Sequence, residues 1–203
     1  STPKPSSAAS DVYKRQNENF SLGVAAHSLR AVKNETLNKI VDLTDGPIHI
    51  HAAEQVKEVE EIKSFYKMPP VEFLIENFDI NKRWCLIHCT QMSELETDLL
   101  SKSGAVAGLC PVTEANLGDG IFNGFQYNER KGLYGIGTDS NINISLTEEL
   151  KTFEYSQRLL NKKRAVISNQ KKSTGRKLFD DCLEGGARAL QINNGKDNLF
   201  EVS

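Results

Sequence analysis

Histidines and acidic residues recur where short apolar segments of this chain end. His51 closes the segment Pro47–His51, and Glu54 follows it by three residues. A neutral imidazole can hold a zinc ion, which lowers the pKa of a bound water to about 7. A carboxylate on the next turn of the chain could take the proton of that water and hand it to a leaving group. This spacing favours metal-assisted hydrolysis.

Two further residues extend the donor set. His49 precedes His51 by two residues, so both side chains share one face if the segment is a strand. His-x-His by itself is a weak metal signal, because buried imidazoles that bond to the backbone give the same pattern. Asp139 is an oxygen donor from a distant segment, although by itself it could equally form an Asx turn or a helix cap.

Five short segments have the pattern of buried parallel strands, since each is apolar on both faces and bounded by Gly, Pro or polar residues. They are Phe20–Ala26, Pro47–His51, Trp84–His88, Ala105–Cys110 and Leu133–Gly137. The residues between them have helical periodicity. Capping boxes are predicted at Ser93 and Ser145. A last helix is predicted over Gly175–Leu190, with the side chains of Leu178, Cys182 and Leu183 directed into the core. The alternation predicts an α/β fold with a parallel sheet.

Each predicted strand leads to polar side chains that could do chemistry: His27, His51 with Glu54, His88, Glu114 and Asp139. Ligand sites in parallel α/β proteins lie beyond the carboxyl ends of the strands. We therefore expect these side chains to meet at one rim of the sheet. Structural histidines would not be restricted to strand ends, so the clustering favours a functional site.

Composition excludes several classes of protein. The 203 residues carry 25 Lys and Arg against 27 Asp and Glu, a net charge of −2. This balance argues against a strongly basic nucleic-acid binder, and no apolar run approaches the length of a membrane span. The four cysteines form no CxxC pair, which fits a reducing, cytoplasmic setting.

Residues 1–16 differ from the rest of the chain. They are rich in Ser, Pro and Ala and have no hydrophobic period, as expected of a disordered tail. The segment Asp11–Gln16 can be encoded by the transposon-end adapter of sequencing libraries, so we interpret residues 1–16 as non-native. On this interpretation the natural gene continues upstream of Asn17.

Four stretches resemble the amidohydrolase superfamily, specifically its aminohydrolase branch of (β/α)8 barrels. They are GVAAHSLRAV (23–32), PIHIHAAEQ (47–55), CPVTEANLGDGIF (110–122) and GIGTDSNINISLTEELKTFEYSQRLL (135–160). The resemblance covers about residues 18–190. It implies that 17–192 form the C-terminal part of such a barrel, about strands 4 to 8, and that 193–203 begin a truncated C-terminal segment.

The resemblance also implies a role for each matched residue. His51 and Asp139 would be metal ligands, with Asp139 also relaying a proton. Glu54 would be the acid/base, and His88 would polarise the substrate. The position of His49 is not a ligand in the family, so His49 would pack lower in the barrel.

The activity implied is hydrolysis of the formimino C–N bond of N-formimino-L-glutamate to N-formyl-L-glutamate and ammonia, in histidine degradation. His27 and Arg30 would bind a carboxylate of this small-molecule substrate, and Glu114 would help to shape its pocket. Ser140 would tune Asp139. If Arg30 has no substrate role, it would be a surface residue paired with an acid such as Glu35.

The sequence departs from the family pattern at the metal. The family supplies two more histidines from an HxH motif on its first strand, whereas the four histidines of this chain, His49 and His51 included, are all assigned to later strands. Zinc is the expected metal, with two ligands missing from the chain, and we expect the 203 residues by themselves to be inactive. The full-length enzyme could be a homodimer.

Two other functions stay open. One is deamination of a purine or a related heterocycle by an enzyme of the same branch; a cation at Arg30 argues against it, since a purine has no carboxylate to bind. The other is a non-catalytic binding module. The presence of Glu54, His88 and Asp139 together argues for truncation of an enzyme and against the binding module.

Overall fold

The computed structural model describes residues 22–169 and 171–192. The predicted terminal segments 1–16 and 193–203 lie outside these residues. In the described part, five strands form one sheet: β1 (Val24–Ser28), β2 (Ile48–Ala52), β3 (Trp84–His88), β4 (Val106–Leu109) and β5 (Leu133–Ile136).

The strands lie in the sheet in chain order, and each is parallel to its neighbours. Parallel neighbours need a connection that crosses back over the sheet, and helices provide it. The helices are α1 (Asn34–Val41), α2 (Val56–Tyr66), α3 (Pro70–Asn77), α4 (Glu94–Ser103), α5 (Pro111–Leu117), α6 (Gly124–Glu129), α7 (Leu146–Asn161) and α8 (Thr174–Ala189). The predicted α/β fold is confirmed. No helix of the described residues is long and apolar enough to cross a membrane.

The strand boundaries follow the prediction with one informative shift. Trp84–His88 has the predicted bounds, whereas β1 begins later than predicted and continues through His27 to Ser28. The reason is pairing with β2, which resumes at Ser28 opposite His51 after a register shift beyond Ala26. His27 is therefore part of the strand.

The face of the sheet that the helices cover forms the main core. Ile48, Ile50 and Leu86 on this face are almost completely buried. His49 and His51 alternate with the two isoleucines and are more exposed, so they share the opposite face of β2, as predicted.

The end of α8 covers that opposite face near the amino ends of the strands. Ala189 packs against Cys85 and Val106, and its carbonyl oxygen accepts a hydrogen bond from His49 Nε2 at 2.9 Å. His49 is thus satisfied by the backbone, below the rim where His51 lies.

Local helix signals are confirmed in part. At Ser93 both bonds of the capping box form, with Oγ accepting from Glu96 N at 3.2 Å and Glu96 Oε2 accepting from Ser93 N at 2.9 Å. At Ser145 only the first bond forms, because the Glu148 side chain pairs with Lys151 at 3.0 Å. Within α8, Leu178 and Cys182 are buried as predicted, whereas the prediction for Leu183 is wrong, since it is 39% exposed.

Gly185 allows α8 to lie directly against β5. A Cβ at Gly185 would lie 1.9 Å from the carbonyl oxygen of Tyr134, whereas a Cβ at the adjacent Gly186 would meet nothing within 4 Å. Any side chain at Gly185 would therefore push the helix off the strand.

We expect Gly185→Ala to lower the free energy of unfolding by about 1–3 kcal/mol or more, the cost of overpacking against a rigid backbone. The matched control is Gly186→Ala, which should leave stability unchanged or raise it by up to about 1 kcal/mol through helix propensity. Urea denaturation of the two variants makes the comparison. Equal losses of unfolding free energy in the two variants would show that the close approach of α8 to β5 at Gly185 does not determine stability.

Candidate active site

Three histidines from adjacent strands converge at the carboxyl end of the sheet. The ring centroids of His27 and His51 are 5.2 Å apart, and those of His51 and His88 are 5.6 Å apart. Their strands are neighbours in the parallel sheet, so residues at the same height come together. This confirms that His27, His51 and His88 share one rim.

His51 is oriented by the strand beside it. Its Nδ1 lies 2.7 Å from the carbonyl oxygen of His27, which can only accept, so Nδ1 carries the proton. The lone pair is therefore on Nε2. Metal-binding histidines have this arrangement, in which one nitrogen donates to a carbonyl and the other faces the ion.

His88 lies at the centre of the acidic side chains. Its ring is 1% exposed, and Nε2 lies 3.8 Å from Glu54 Oε1 and 3.9 Å from Asp139 Oδ2. On the other side of the ring, Nδ1 lies 3.2 Å from Glu114 Oε1. Burial by itself lowers the pKa of His88, but the Glu114 hydrogen bond and the three carboxylates outweigh it and raise the pKa.

Glu54 faces the same space from the turn after β2. Burial raises the pKa of its carboxyl group, His88 opposes this, and the neighbouring carboxylates of Asp119 and Glu58 raise it further. A carboxyl group with a raised pKa can both accept and return a proton near neutral pH. Its position and environment therefore suit an acid/base.

Glu58 and Thr90 hold that turn in place. The Glu58 carboxylate, 1% exposed, accepts hydrogen bonds from Ala53 N at 3.0 Å and Glu54 N at 2.8 Å. The Thr90 hydroxyl donates to the carbonyl oxygens of Ala53 and Glu54. Neither residue is predicted from the sequence; the available signal for Glu58 was an acidic residue in the first turn of α2, where it can accept from free N–H groups.

The strand ends are backbone turns of unusual conformation. Non-glycine residues with left-handed φ angles follow or close three strands: Ala53 (52°), His88 (71°), Cys89 (56°) and Asp139 (52°). Such residues cost free energy and cluster at functional sites. Here they turn Glu54, His88 and Asp139 toward one another.

Asp139 reaches the site from the loop after β5. Its Oδ1 accepts a hydrogen bond from the backbone N–H of Ser140 at 2.6 Å, and its Oδ2 faces His88. The contact with Ser140 is through the backbone, so it fixes the carboxylate whatever the side chain at 140. This leaves Oδ2 available to a ligand.

Glu114 lies behind His88, within the wall of the site. Its side chain is buried, and Oε1 accepts from the backbone N–H of Cys110 at 2.8 Å in addition to contacting His88. The family resemblance implies that Glu114 helps to shape the substrate pocket. Its position favours orientation of His88 over direct contact with a substrate.

His27 and Arg30 are more open to solvent. His27 Nδ1 lies 3.0 Å from the Ser28 hydroxyl. Arg30 Nη1 lies 3.7 Å from Glu61 Oε2, and the Arg30 side chain is 35% exposed. The surface partner of Arg30 is therefore Glu61 and not Glu35. Such an exposed pair is weak, so the guanidinium can exchange it for another carboxylate.

The donors on this rim match a divalent metal in type but form an incomplete set. His51 presents a free Nε2 and Asp139 a free Oδ2, and nitrogen with carboxylate oxygen is the usual ligand chemistry of zinc. Within residues 22–169 and 171–192, no three His, Cys, Asp or Glu side chains are close enough together to hold an ion.

Comparison with known proteins points the same way. The sequence matches the amidohydrolase family over residues 3–196. It is 44% identical over 173 residues to formimidoylglutamate deiminase of Pseudomonas aeruginosa, covering 84% of this chain and 38% of that protein. It is 26% identical over 185 residues to 5'-deoxyadenosine deaminase of Methanothermobacter thermautotrophicus, covering 88% of this chain and 42% of that protein.

Two solved structures are similar in fold to this chain. An amidohydrolase from Brucella melitensis matches with a TM-score of 0.82 and 52% identity, over 83% of this chain and 38% of that one. A zinc-bound adenosine deaminase from Xanthomonas campestris shares the fold, with a TM-score of 0.80 at 22% identity over 91% of this chain and 43% of that one. The chain thus spans about two fifths of the length of these relatives. The family match over nearly the whole sequence, together with the rim of His51, Glu54, His88 and Asp139, establishes that this chain belongs to the amidohydrolase family.

Proposed function

We propose that this chain is part of an enzyme that hydrolyses the formimino C–N bond of N-formimino-L-glutamate, giving N-formyl-L-glutamate and ammonia. The observation that carries the reaction type is the convergence of Glu54 and Asp139 on His88, within 4 Å of its Nε2. The substrate is supported by the 44% identity to a formimidoylglutamate deiminase.

In this reaction water adds to the formimino carbon, and the C–N bond to the terminal nitrogen breaks. Glu54 takes one proton from the water and returns it to the departing nitrogen. Asp139 relays the second proton from the new hydroxyl group to that nitrogen as the C=O bond forms, so the nitrogen leaves as ammonia. His88 Nε2 donates to the group that develops charge as the carbon becomes tetrahedral. Glu114 orients His88 by accepting a hydrogen bond from its Nδ1, and it helps to raise the pKa of His88, which favours the doubly protonated ring that donation by Nε2 needs.

The proposed metal is zinc, with His51 and Asp139 as two of its ligands and the others from parts of the enzyme beyond these 203 residues. When bound, zinc would supply Lewis-acid activation of the attacking water. Glu58 and Thr90 fix the turn that carries Glu54, so the base is oriented by the chain itself.

His27 and Arg30 are proposed to bind a carboxylate of the glutamate moiety. They lie at the end of β1, one turn of chain apart, beside His51. A guanidinium offers a carboxylate two parallel hydrogen bonds, which are stronger than neutral ones. A purine substrate would leave Arg30 with no such partner.

The substrate is a small molecule, and a homodimer of the full-length enzyme in the cytoplasm is our proposal for its biological form. The four cysteines are buried, unpaired thiols, and a reducing compartment keeps thiols in that state.

The deciding experiment is turnover by the zinc-loaded, full-length enzyme that contains this sequence. Ammonia and N-formyl-L-glutamate should form from N-formimino-L-glutamate with a kcat/KM far above that for 5'-deoxyadenosine. Preference for the nucleoside would establish the heterocycle deaminase function. Binding of either compound without turnover would establish the non-catalytic module.

In the same enzyme, Arg30→Met should lower kcat/KM for N-formimino-L-glutamate about 10–150-fold, mainly through KM, because a charged hydrogen-bond partner is lost. Metal content should not change. The matched control is Glu61→Gln, which removes the surface pair and keeps the guanidinium, and should leave KM unchanged. If Arg30→Met stays within threefold of the parent, Arg30 does not bind the carboxylate.

A further inference from the structure

The loop that carries Asp139 leaves the sheet just before that residue. Pairing of β5 with β4 extends to Gly137, whose N–H donates to the carbonyl oxygen of Leu109 at 2.9 Å. Beyond this point lie residues 138–144, which we call the Asp139 loop. Within the described part of the chain they make no backbone–backbone hydrogen bond. Hydrophobic packing adds little, since Ile142 is 99% exposed. The position of the loop therefore depends on contacts of side chains.

One hydroxyl group links the Asp139 loop to the rest of the fold. Thr113 Oγ1 lies 3.2 Å from the carbonyl oxygen of Thr138, which can only accept, so the hydroxyl donates this hydrogen bond. The same oxygen accepts from Asn141 Nδ2 at 3.3 Å. Every other hydrogen bond of the loop, among the described residues, stays within the loop. Thr113 thus contacts the chain on both sides of Asp139.

Thr113 belongs to a turn of α5 that is itself fixed. The N–H of Val112 donates at 2.8 Å to Oε2 of Glu149, a fully buried residue of α7. The next residue after Thr113 is Glu114, which contacts His88 Nδ1 at 3.2 Å. Neighbouring residues of a helix point in directions about 100° apart, so one turn can reach two different strand ends. The first turn of α5 thereby sets the position of His88 relative to the Asp139 loop.

Asp139 has a backbone conformation that depends on such support. Its φ angle of 52° is left-handed, and a residue other than glycine keeps this conformation only where the surrounding structure fixes it. Its Oδ2 lies 3.9 Å from His88 Nε2. Without the two contacts of Thr113, the backbone at Asp139 could relax and move this oxygen away from the rim.

We propose that Thr113 is a positioning residue for Asp139, whose carboxylate it holds toward the metal and His88. This inference rests on the proposed function, in which Asp139 is a metal ligand and a proton relay. In this role Thr113 touches neither substrate nor metal and acts only through Asp139. Contacts that orient a metal ligand commonly change metal affinity or activity about 10–100-fold when they are removed.

The test removes the hydroxyl group and keeps the shape of the side chain. In the full-length enzyme that contains this sequence, Thr113→Val should weaken zinc binding about 10–100-fold, measured by competition with a chelator. The kcat of the zinc-saturated variant should fall about tenfold or more, with KM within threefold of the parent. Thr113→Ser keeps the hydroxyl and should restore zinc affinity and kcat to within threefold. If Thr113→Val does not fold, Thr113→Ala replaces it.

Thr97 on α4 provides a matched control. Its hydroxyl is buried and has the same two kinds of partner, since it donates to the carbonyl oxygen of Ser93 at 2.8 Å and accepts from Asn123 Nδ2 at 3.0 Å. Neither partner is among the residues assigned to the site. Thr97→Val should lower the free energy of unfolding but leave zinc affinity and kcat unchanged. Equal loss of zinc affinity in both valine variants would mean that Thr113 has a structural role only.

A double-mutant cycle tests whether Thr113 acts through Asp139. Asp139→Asn removes the charge, and Asn tolerates a left-handed φ angle. In this background Thr113→Val should change zinc affinity less than threefold, because the carboxylate that it positions is already missing. An equal loss in both backgrounds would overturn the proposal. If Asp139→Asn itself binds zinc as the parent does, the proposed metal role of Asp139 fails, and the same cycle is read on kcat.

Zinc binding needs no turnover, so it separates this proposal from the proposed function. If the enzyme does not hydrolyse N-formimino-L-glutamate but Thr113→Val weakens zinc binding and Thr113→Ser does not, the proposed substrate fails and the role of Thr113 stands. If turnover of N-formimino-L-glutamate is normal and Thr113→Val matches the parent in zinc affinity and kcat, only the role of Thr113 fails.

Discussion

Replacing Glu54 with Gln in the full-length enzyme should lower kcat by about 10²–10⁴-fold, the usual contribution of a general acid/base. The amide has the same size and can keep its place beside His88, but it cannot carry a proton. Zinc content should be unchanged, because Glu54 is not among the proposed ligands. Single-turnover kinetics with metal analysis of the same samples measures both quantities.

The matched control for this variant is Glu60→Gln. Glu60 is an exposed carboxylate on α2, the helix that follows Glu54, so its loss removes one negative charge without touching the rim. It should leave kcat unchanged. A Glu54→Gln enzyme with near-normal kcat would show that proton transfer is carried by another group, and Asp139 would be the next residue to test.

Replacing His88 with Asn should lower kcat by about 10²–10³-fold, the effect of removing one donor that stabilises developing charge. Asn is chosen because the φ angle of His88 is 71°, a left-handed conformation that Asn tolerates better than most residues. KM should change far less than kcat. A higher KM with kcat unchanged would show that His88 contributes to substrate binding and not to the reaction step.

The pair of His88 and Glu114 permits a double-mutant test of the positioning role. Glu114→Gln by itself should lower kcat by about 10–100-fold, as loss of an orienting partner commonly does. In a His88→Asn background the same change should add little, because Glu114 would act through a ring that is no longer present. Additive losses would show that Glu114 acts on the substrate directly, as a residue of the substrate pocket that the family resemblance implies.

The sheet and the rim could be predicted from sequence because both depend on local pattern. Short apolar runs that end in polar residues identify buried parallel strands, and parallel strands bring their carboxyl ends to one edge. His51, His88 and Asp139 therefore come together as expected. The bounds of β1 could not be predicted, because pairing with β2 across a register shift extends it through His27.

The separate roles of the acidic residues were decided by the tertiary structure alone. Glu58 and Glu114 are both acidic residues in the first turns of a helix that follows a strand, and nothing in their local sequence distinguishes them. Their contacts do: Glu58 caps the turn of Glu54, four residues before it, and Glu114 lies against His88, 26 residues away on the neighbouring strand. The physical reason is that hydrogen bonding and desolvation depend on groups that can be far apart in sequence. Hydrophobic periodicity, by contrast, is a pattern of residues that are close together in sequence.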